Sequence, residues 1–454
     1  MKAFEKRDLI LNGDLKKTII KLSLPLLLTN LSQTMYNLTD TFWLGKVGAE
    51  EVAASSVTWP ILFLIITIGI GISTAGTSLM SQYMGNDDKE NARIVAGQIF
   101  SLTIIFSIIM TIFGFIFAPK ILGWMGVDGT LLEKASTYLR IMILGTPISY
   151  FYMIFNSTRV SQGNTVTPMI INICGVSLNM ILDPIFILIL NMGVTGAAIA
   201  SVLSQGIFLS AVFVLLFKKN DGIYIILKNI KLIKKRVTKI FKIGIPSTIG
   251  TSMESMGFIV LNSFIVSYGS VTLAAFGIAN RINSLVFMPG MAIGGAIVSI
   301  VGQNIGIGNV KRARKAFYTA SLFSFIISIT LGIILFIYSK ELLQIFVPSP
   351  EDIEVVIQGS YYMRLMALSL FLVALNDLFI GTFQGSGHTI YSMILSMGRL
   401  WIYRIPLIMI FQKLTNWGSE GVWYAMVLSN LLTTITGLIF FLSGKWEKRV
   451  IEKK

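Results

Sequence analysis

Ile94–Phe117 reads IVAGQIFSLTIIFSIIMTIFGFIF, a run of apolar and small residues without one charged side chain. In hydrocarbon every backbone N–H and C=O must find its partner within its own segment, so about 20 such residues wind into a helix that crosses a bilayer. Comparable stretches lie on both sides of it, at 18–44, 52–80, 135–157, 168–190, 195–217, 241–266, 272–302, 316–338, 357–381, 389–411 and 420–442. With 94–117 they predict an all-α membrane protein of twelve transmembrane helices. Composition agrees: 54% of the 454 residues are hydrophobic and 13% charged, against roughly 25% charged in a soluble domain. The first apolar helix is long and follows a basic start, so no cleavable signal peptide is expected.

The net charge of +15 raises nucleic acid as a partner, but the placement of the charges argues against it. Basic residues crowd the N-terminus (Lys6, Arg7, Lys16, Lys17, Lys21), the 84–93 loop, the 218–242 segment, the 311–315 cluster and the C-terminal tail. The alternate loops carry Glu50, Glu51, Asp128, Glu133, Glu341, Glu351, Glu354 and Glu420. This positive-inside pattern puts both termini and residues 218–242 in the cytoplasm of a cell whose inner membrane the chain spans many times. Cys174 has no partner for a disulfide, and His388 has no second histidine for zinc or haem. No Walker glycine-lysine loop is present. No enzyme activity and no cofactor are expected.

The chain also repeats itself. Placing residue n over n+221 brings Pro25 onto Pro246, Gly48 onto Gly269, Gln82 onto Gln303, Gly85 onto Gly306 and Arg93 onto Arg314. Small slips continue the match through Tyr138 and Tyr362, Pro184 and Pro406, and Ser204 and Ser429. Apolar helices alike by chance would not keep loop glycines and prolines in order. The expected architecture is two pseudo-symmetric six-helix lobes around a central cavity, residues 1–217 and 243–454, joined by a basic linker at 218–242.

Chemistry is sought where the repeat fails. Asp40 falls opposite Leu261 and Asp183 opposite Ile405, so these two acids belong to the first half alone. A charge inside the bilayer needs a partner, a bound cation or a proton. Along their helices the two acids lie about 6 Å and roughly 10 Å from the outer ends, at similar depth. Tyr36, Asn37 and Asn179 lie within one turn of them, and Ser201 reaches a similar depth in the sixth helix. Carboxylates, an amide and a hydroxyl are the hard oxygens that sodium prefers. Asp40 and Asp183 are the candidate sodium ligands. They could instead share a proton, or pair with Arg140 or Arg404. Asn156 and Glu254 are further candidates for substrate or coupling contact, Glu254 near mid-membrane opposite Gln33 in the repeat. Asp377 lies near one end of the tenth helix. The 21 methionines could form an adaptable drug surface.

Met35-Tyr36-Asn37-Leu38-Thr39-Asp40-Thr41-Phe42-Trp43-Leu44-Gly45, Gln82-Tyr83-Met84-Gly85, Arg159-Val160-Ser161-Gln162-Gly163 and Leu178-Asn179-Met180-Ile181-Leu182-Asp183-Pro184 resemble the multidrug and toxic compound extrusion (MATE) family, closest to its DinF-like branch. The resemblance implies an inner-membrane antiporter that exports amphipathic organic cations by alternating access, driven by sodium or protons. By motif its cation site maps to Asp40, Asn179, Asp183 and Ser201, with serine where the branch carries threonine. Another branch couples through a seventh-helix glutamate, and Glu254 looks similar, which leaves the coupling ion open between Na+ and H+. The expected partners are small organic cations and membrane lipid, the expected state a monomer. A flippase for a lipid-linked substrate and an uncoupled channel or receptor are the rival readings.

Overall fold

Among the residues that the computed structural model describes, 3–219, 222–348 and 352–452, all regular structure is helical. Glu351 of the charge pattern lies outside them. A short α1 (Ala3–Leu11) leads to α2 (Leu15–Val47). Asp14 starts α2: its Oδ1 accepts the N–H of Lys16 at 2.7 Å and of Lys17 at 3.1 Å, two of the groups a helix start leaves open. The bonds from Lys17 and Lys16 hold the Asp14 carboxyl below the usual carboxylate range.

The first half continues with α3 (Ala49–Gly85), α4 (Lys89–Trp124), α5 (Gly129–Leu144), α6 (Thr146–Val160), α7 (Val166–Pro184) and α8 (Gly193–Phe217). The second half holds α9 (Lys234–Val266), α10 (Ser270–Gly306), α11 (Val310–Ile337), the short α12 (Ser339–Gln344), α13 (Ile353–Ser386), α14 (Thr389–Gly398), α15 (Ile405–Leu414) and α16 (Glu420–Leu442). A π-helical turn, Ile185–Ile189, extends α7, and another, Arg399–Arg404, joins α14 to α15.

Ten of these spans are long and apolar enough to cross a bilayer. An eleventh, expected as one helix at 135–157, is α5 and α6 bent by 42°. The bend falls at Gly145, two residues before Pro147, whose ring cannot continue the backbone ladder. The twelfth is α2, long enough at 33 residues but interrupted by Asn30, Gln33, Asn37 and Asp40. Its polarity already marks it as something other than a lipid-facing rod.

By their contacts the residues form two compact units: Leu28–Thr248 with the chain up to Leu9, and Ile10–Leu27 with the chain from Ile249 onward. The changes of unit after Leu27 and Thr248 are repeat equivalents, each two residues beyond a proline, Pro25 and Pro246. These boundaries differ from a division at 217 and 243. Ile10, Leu15, Ile19 and Leu22 are buried in one cluster with Ile297, Ile300 and Phe317, which draws the start of α2 into the second unit. The core of the first unit gathers Leu44, Leu139, Ile143, Tyr150 and Ile187. In the second, Phe276 stacks on Trp423 at 5.8 Å between ring centroids.

Candidate functional site

One turn apart on α7, Asn179 and Asp183 face the same way, and Asn179 Nδ2 donates to Asp183 Oδ1 at 2.9 Å. Pro184 brings no N–H to the ladder, and the chain widens into the π turn, where Leu190 N–H reaches Ile185 O at 2.9 Å. π turns of this kind recur at functional sites. Gly196 lets α8 close on that turn, since a Cβ there would meet Phe186 O at 2.6 Å. Two turns before Ser201, the N–H of Val194 donates to Glu51 Oε2 at 2.6 Å, and Lys134 Nζ lies 2.8 Å from Glu51 Oε1. Held so, Ser201 Oγ stands 2.8 Å from Tyr36 OH and 3.5 Å from Asn179 Nδ2. Asp40, one turn beyond Tyr36 on α2, interacts electrostatically with Asp183.

The cluster is short of donors. Asp40 Oδ1, Asn179 Oδ1 and Asp183 Oδ2 are buried without a hydrogen-bond partner, and a buried acceptor left so costs about 1–3 kcal/mol, more when charged. The two arginines weighed as partners are engaged elsewhere: Arg140 donates to Phe115 O at 3.2 Å, and Arg404 to Ser429 Oγ at 3.0 Å and Asn430 Oδ1 at 2.9 Å. Three buried oxygens without partners, two of them from carboxylates, are the kind of donors that suit a small hard cation or a proton.

Beside the cluster lies a cavity of about 490 Å³, within the range of small-molecule sites. Tyr36, Asn37 and Asn179 line it together with the amides Gln33, Asn172 and Gln205 and the rings of Trp59, Phe63, Tyr152 and Phe208. Asp40, Asp183 and Ser201 are not on its wall. Tyr36 and Asn179 belong both to the lining and to the hydrogen-bonded cluster. Asn156 is also absent from the lining, and Met153 is its one methionine, so the wall is aromatic and amide rather than thioether.

Two segments, residues 25–185 and 246–410, each match MatE, one in each half. The chain belongs to the MatE family. It is 26% identical to the probable multidrug resistance protein YpnP of Bacillus subtilis, with 98% of each chain covered. With the probable multidrug resistance protein NorM of Thermotoga maritima it shares 26% identity over 96% of this chain and 94% of the relative. A crystal structure of MATE in complex with MaL6 superimposes with a TM-score of 0.91 at 28% identity, over 96% of this chain and 97% of that one. The fold is therefore that of a MATE transporter, twelve helices in two lobes, and the MatE relatives are named as resistance proteins and transporters rather than as enzymes.

The second unit of this MatE chain handles its acids differently. Arg399, at the head of the π turn, forms an ion pair with Glu254 of α9, and Trp401 Nε1 donates to Met253 O at 2.7 Å beside it. Asp377 is tucked against Gly290 and Gly294 of α10 with its Oδ2 buried and unpartnered. Reading the sequence missed Tyr138, which is buried and within electrostatic reach of Asp40, Tyr36 and Asp183; its recurrence as Tyr362 was the available signal. It also missed the cavity amides. Gln205 accepts from Ser149 Oγ at 3.0 Å, a contact across helices that no local pattern announces, and Asn172 Oδ1 is buried without a partner.

Proposed function

We propose that this MatE chain is a multidrug efflux antiporter that exports amphipathic organic cations in exchange for sodium or protons, with Asp40, Asn179, Asp183 and Ser201 as the coupling site. The observation that carries this reading is the set of buried, unpartnered oxygens on Asp40, Asn179 and Asp183. An incoming cation neutralises the two carboxylates and takes up those oxygens. Tyr36 and Asn179 belong both to that cluster and to the cavity wall, so a change in one compartment is felt in the other. Rings supply apolar area and cation–π attraction for a flat organic cation, and the amides orient its polar edge. Pro25 gives α2 a weak point about which it bends as access alternates. Linkage requires that bound drug weaken cation binding by the factor by which the cation weakens drug binding.

The termini and residues 218–242 face the cytoplasm in this scheme, and the protein works as a monomer in the inner membrane. Single cysteines at 50 and 230, in a background where Cys174 is alanine, test the orientation on intact cells; labelling of 230 and not 50 from outside would reverse it. Purified protein in vesicles, with sodium and proton gradients imposed separately, tests the coupling. Uphill dye transport under one of the two is expected. Dye that only follows its own gradient under both would return the reading of an uncoupled channel.

A further inference from the structure

Residues 222–233, expected as a plain linker, form a strap seated on α4. Gln98, buried, uses both ends of its amide: Nε2 donates to Asn229 O and Lys231 O, each at 2.8 Å, and Oε1 accepts the N–H of Ile233 at 2.7 Å. Arg93 Nε donates to Gly222 O at 3.0 Å, and its guanidinium lies 4.3 Å from the centre of the Tyr224 ring. Within the strap, Ile223 and Ile225 are buried. A Cβ on Gly97 would stand 2.6 Å from Asn229 O. The inner face thus fixes the backbone of the strap.

The outer face sets two kinds of exposed residue side by side. Lys228, Lys231 and Lys234 are exposed, and no acid occurs from Gly222 to Met253 to oppose them. Beside them in the chain Leu227 is 73% exposed, Leu232 42% and Ile233 46%. Height along α4 tells what meets these residues. Its outward apolar run begins at Ile105 and continues through Ile108, Ile109, Ile112 and Phe113. Ser101, one turn earlier, donates to Ile230 O of the strap. The strap therefore crosses α4 about 6 Å short of the lipid-facing band, at the level of lipid headgroups.

We propose that the strap is a binding site for an anionic phospholipid, whose phosphate is held by Lys228, Lys231 and Lys234 and whose upper acyl region covers Leu227, Leu232 and Ile233. Basic side chains beside exposed apolar ones are the pairing that an anionic leaflet attracts. Here the backbone is set before the lipid arrives, so the site pays little to order itself. The proposal is independent of the coupling ion and of the drug.

Thermal unfolding of the full-length protein in detergent, with added phosphatidylglycerol, phosphatidylcholine or inorganic phosphate, tests it. Phosphatidylglycerol should raise the unfolding temperature and the other two should not. Lys228→Gln, Lys231→Gln and Lys234→Gln together should abolish that rise, whereas Lys311→Gln, Lys315→Gln and Lys445→Gln, which remove as much charge elsewhere, should keep it. Gln98→Ala leaves every lysine in place and should weaken the rise by loosening the strap. An equal rise in wild type and in the strap variant would overturn the proposal, as would its loss in the control variant or its reproduction by inorganic phosphate.

Discussion

The fifth span of each half carries a proline and a π-helical turn, Pro184 with Ile185–Ile189 and Pro406 with Arg399–Arg404, yet the two spans treat charge in opposite ways. In the first unit Asp183 and Asp40, which interact electrostatically, each keep a buried oxygen without a hydrogen-bond partner, and no basic side chain among the described residues is bonded to them. In the second, Glu254 is already paired with Arg399, and Arg404 is satisfied by Ser429 and Asn430. A charge out of water must be compensated. The second unit compensates Glu254 within the chain, with Asp377 Oδ2 its one acid oxygen found buried and unpartnered among the described residues; in the proposed scheme the oxygens of Asp40 and Asp183 are left for an arriving cation. In that scheme the first unit answers the solution, while the Glu254 carboxylate of the second is compensated within the chain by Arg399.

The largest expected effect would break this comparison if it fell on the wrong side. Asp40→Asn and Asp183→Asn should each lower gradient-driven efflux at least about tenfold, equivalent to about 1.4 kcal/mol, with folding intact, and the double variant should be little worse than either single one. Vesicle transport with monodisperse protein checks this. Full efflux in either single variant, with collapse in Glu254→Gln, would move the coupling to the second unit.

Stability should separate the units by sign. Arg399→Ala strands the partly buried Glu254 carboxylate and should cost about 1–3 kcal/mol, between the values for exposed and for buried pairs. Asp183→Asn relieves an acid that has no counter-charge, so its unfolding temperature should stay level or rise. Thermal unfolding of the two variants in the same detergent reads both signs. If Arg399→Ala is neutral, the Arg399–Glu254 pair does not stabilise the second unit.

External pH sharpens the identity of the arriving ion. Lowering it should slow sodium-driven efflux if protons compete for Asp40 and Asp183, and should speed efflux if protons are the fuel. Initial rates at fixed drug and sodium concentrations distinguish the two.

The smallest expected effect concerns the joint between cluster and cavity. Tyr36→Phe keeps the ring on the cavity wall and removes the bond to Ser201, a loss of about 1 kcal/mol. The ion concentration for half-maximal transport should rise roughly fivefold, since 1.4 kcal/mol is tenfold, while drug affinity changes little. A change in drug affinity alone would make Tyr36 a cavity residue without a part in the ion site.

Much of the scaffold was legible in the chain because it rests on local rules. Hydropathy located the helices with ends off by up to about two turns, and it read two interrupted spans as plain ones, that bent at Gly145 and that carrying the π turn Arg399–Arg404. Polar neighbours one turn apart, Tyr36 and Asn179 near the two acids, were legible too, since helical periodicity places them on shared faces. The absence of both carboxylates from the cavity lining was not, because depth along a helix says nothing of which neighbour covers a side chain.

The sequence by itself determined a bilayer-spanning helical chain, its internal repeat, and the pair of acids that the repeat does not reproduce, because apolar length, loop glycines and prolines, and helical spacing all act within a few residues. Tertiary structure alone decided that Arg399 reaches Glu254 across 145 positions, that Tyr36 meets Ser201 across 165, and that Gln98 seats a strap more than 130 residues further on. Those pairings follow from how helices pack on one another, where a buried polar group must find a partner wherever in the chain that partner lies.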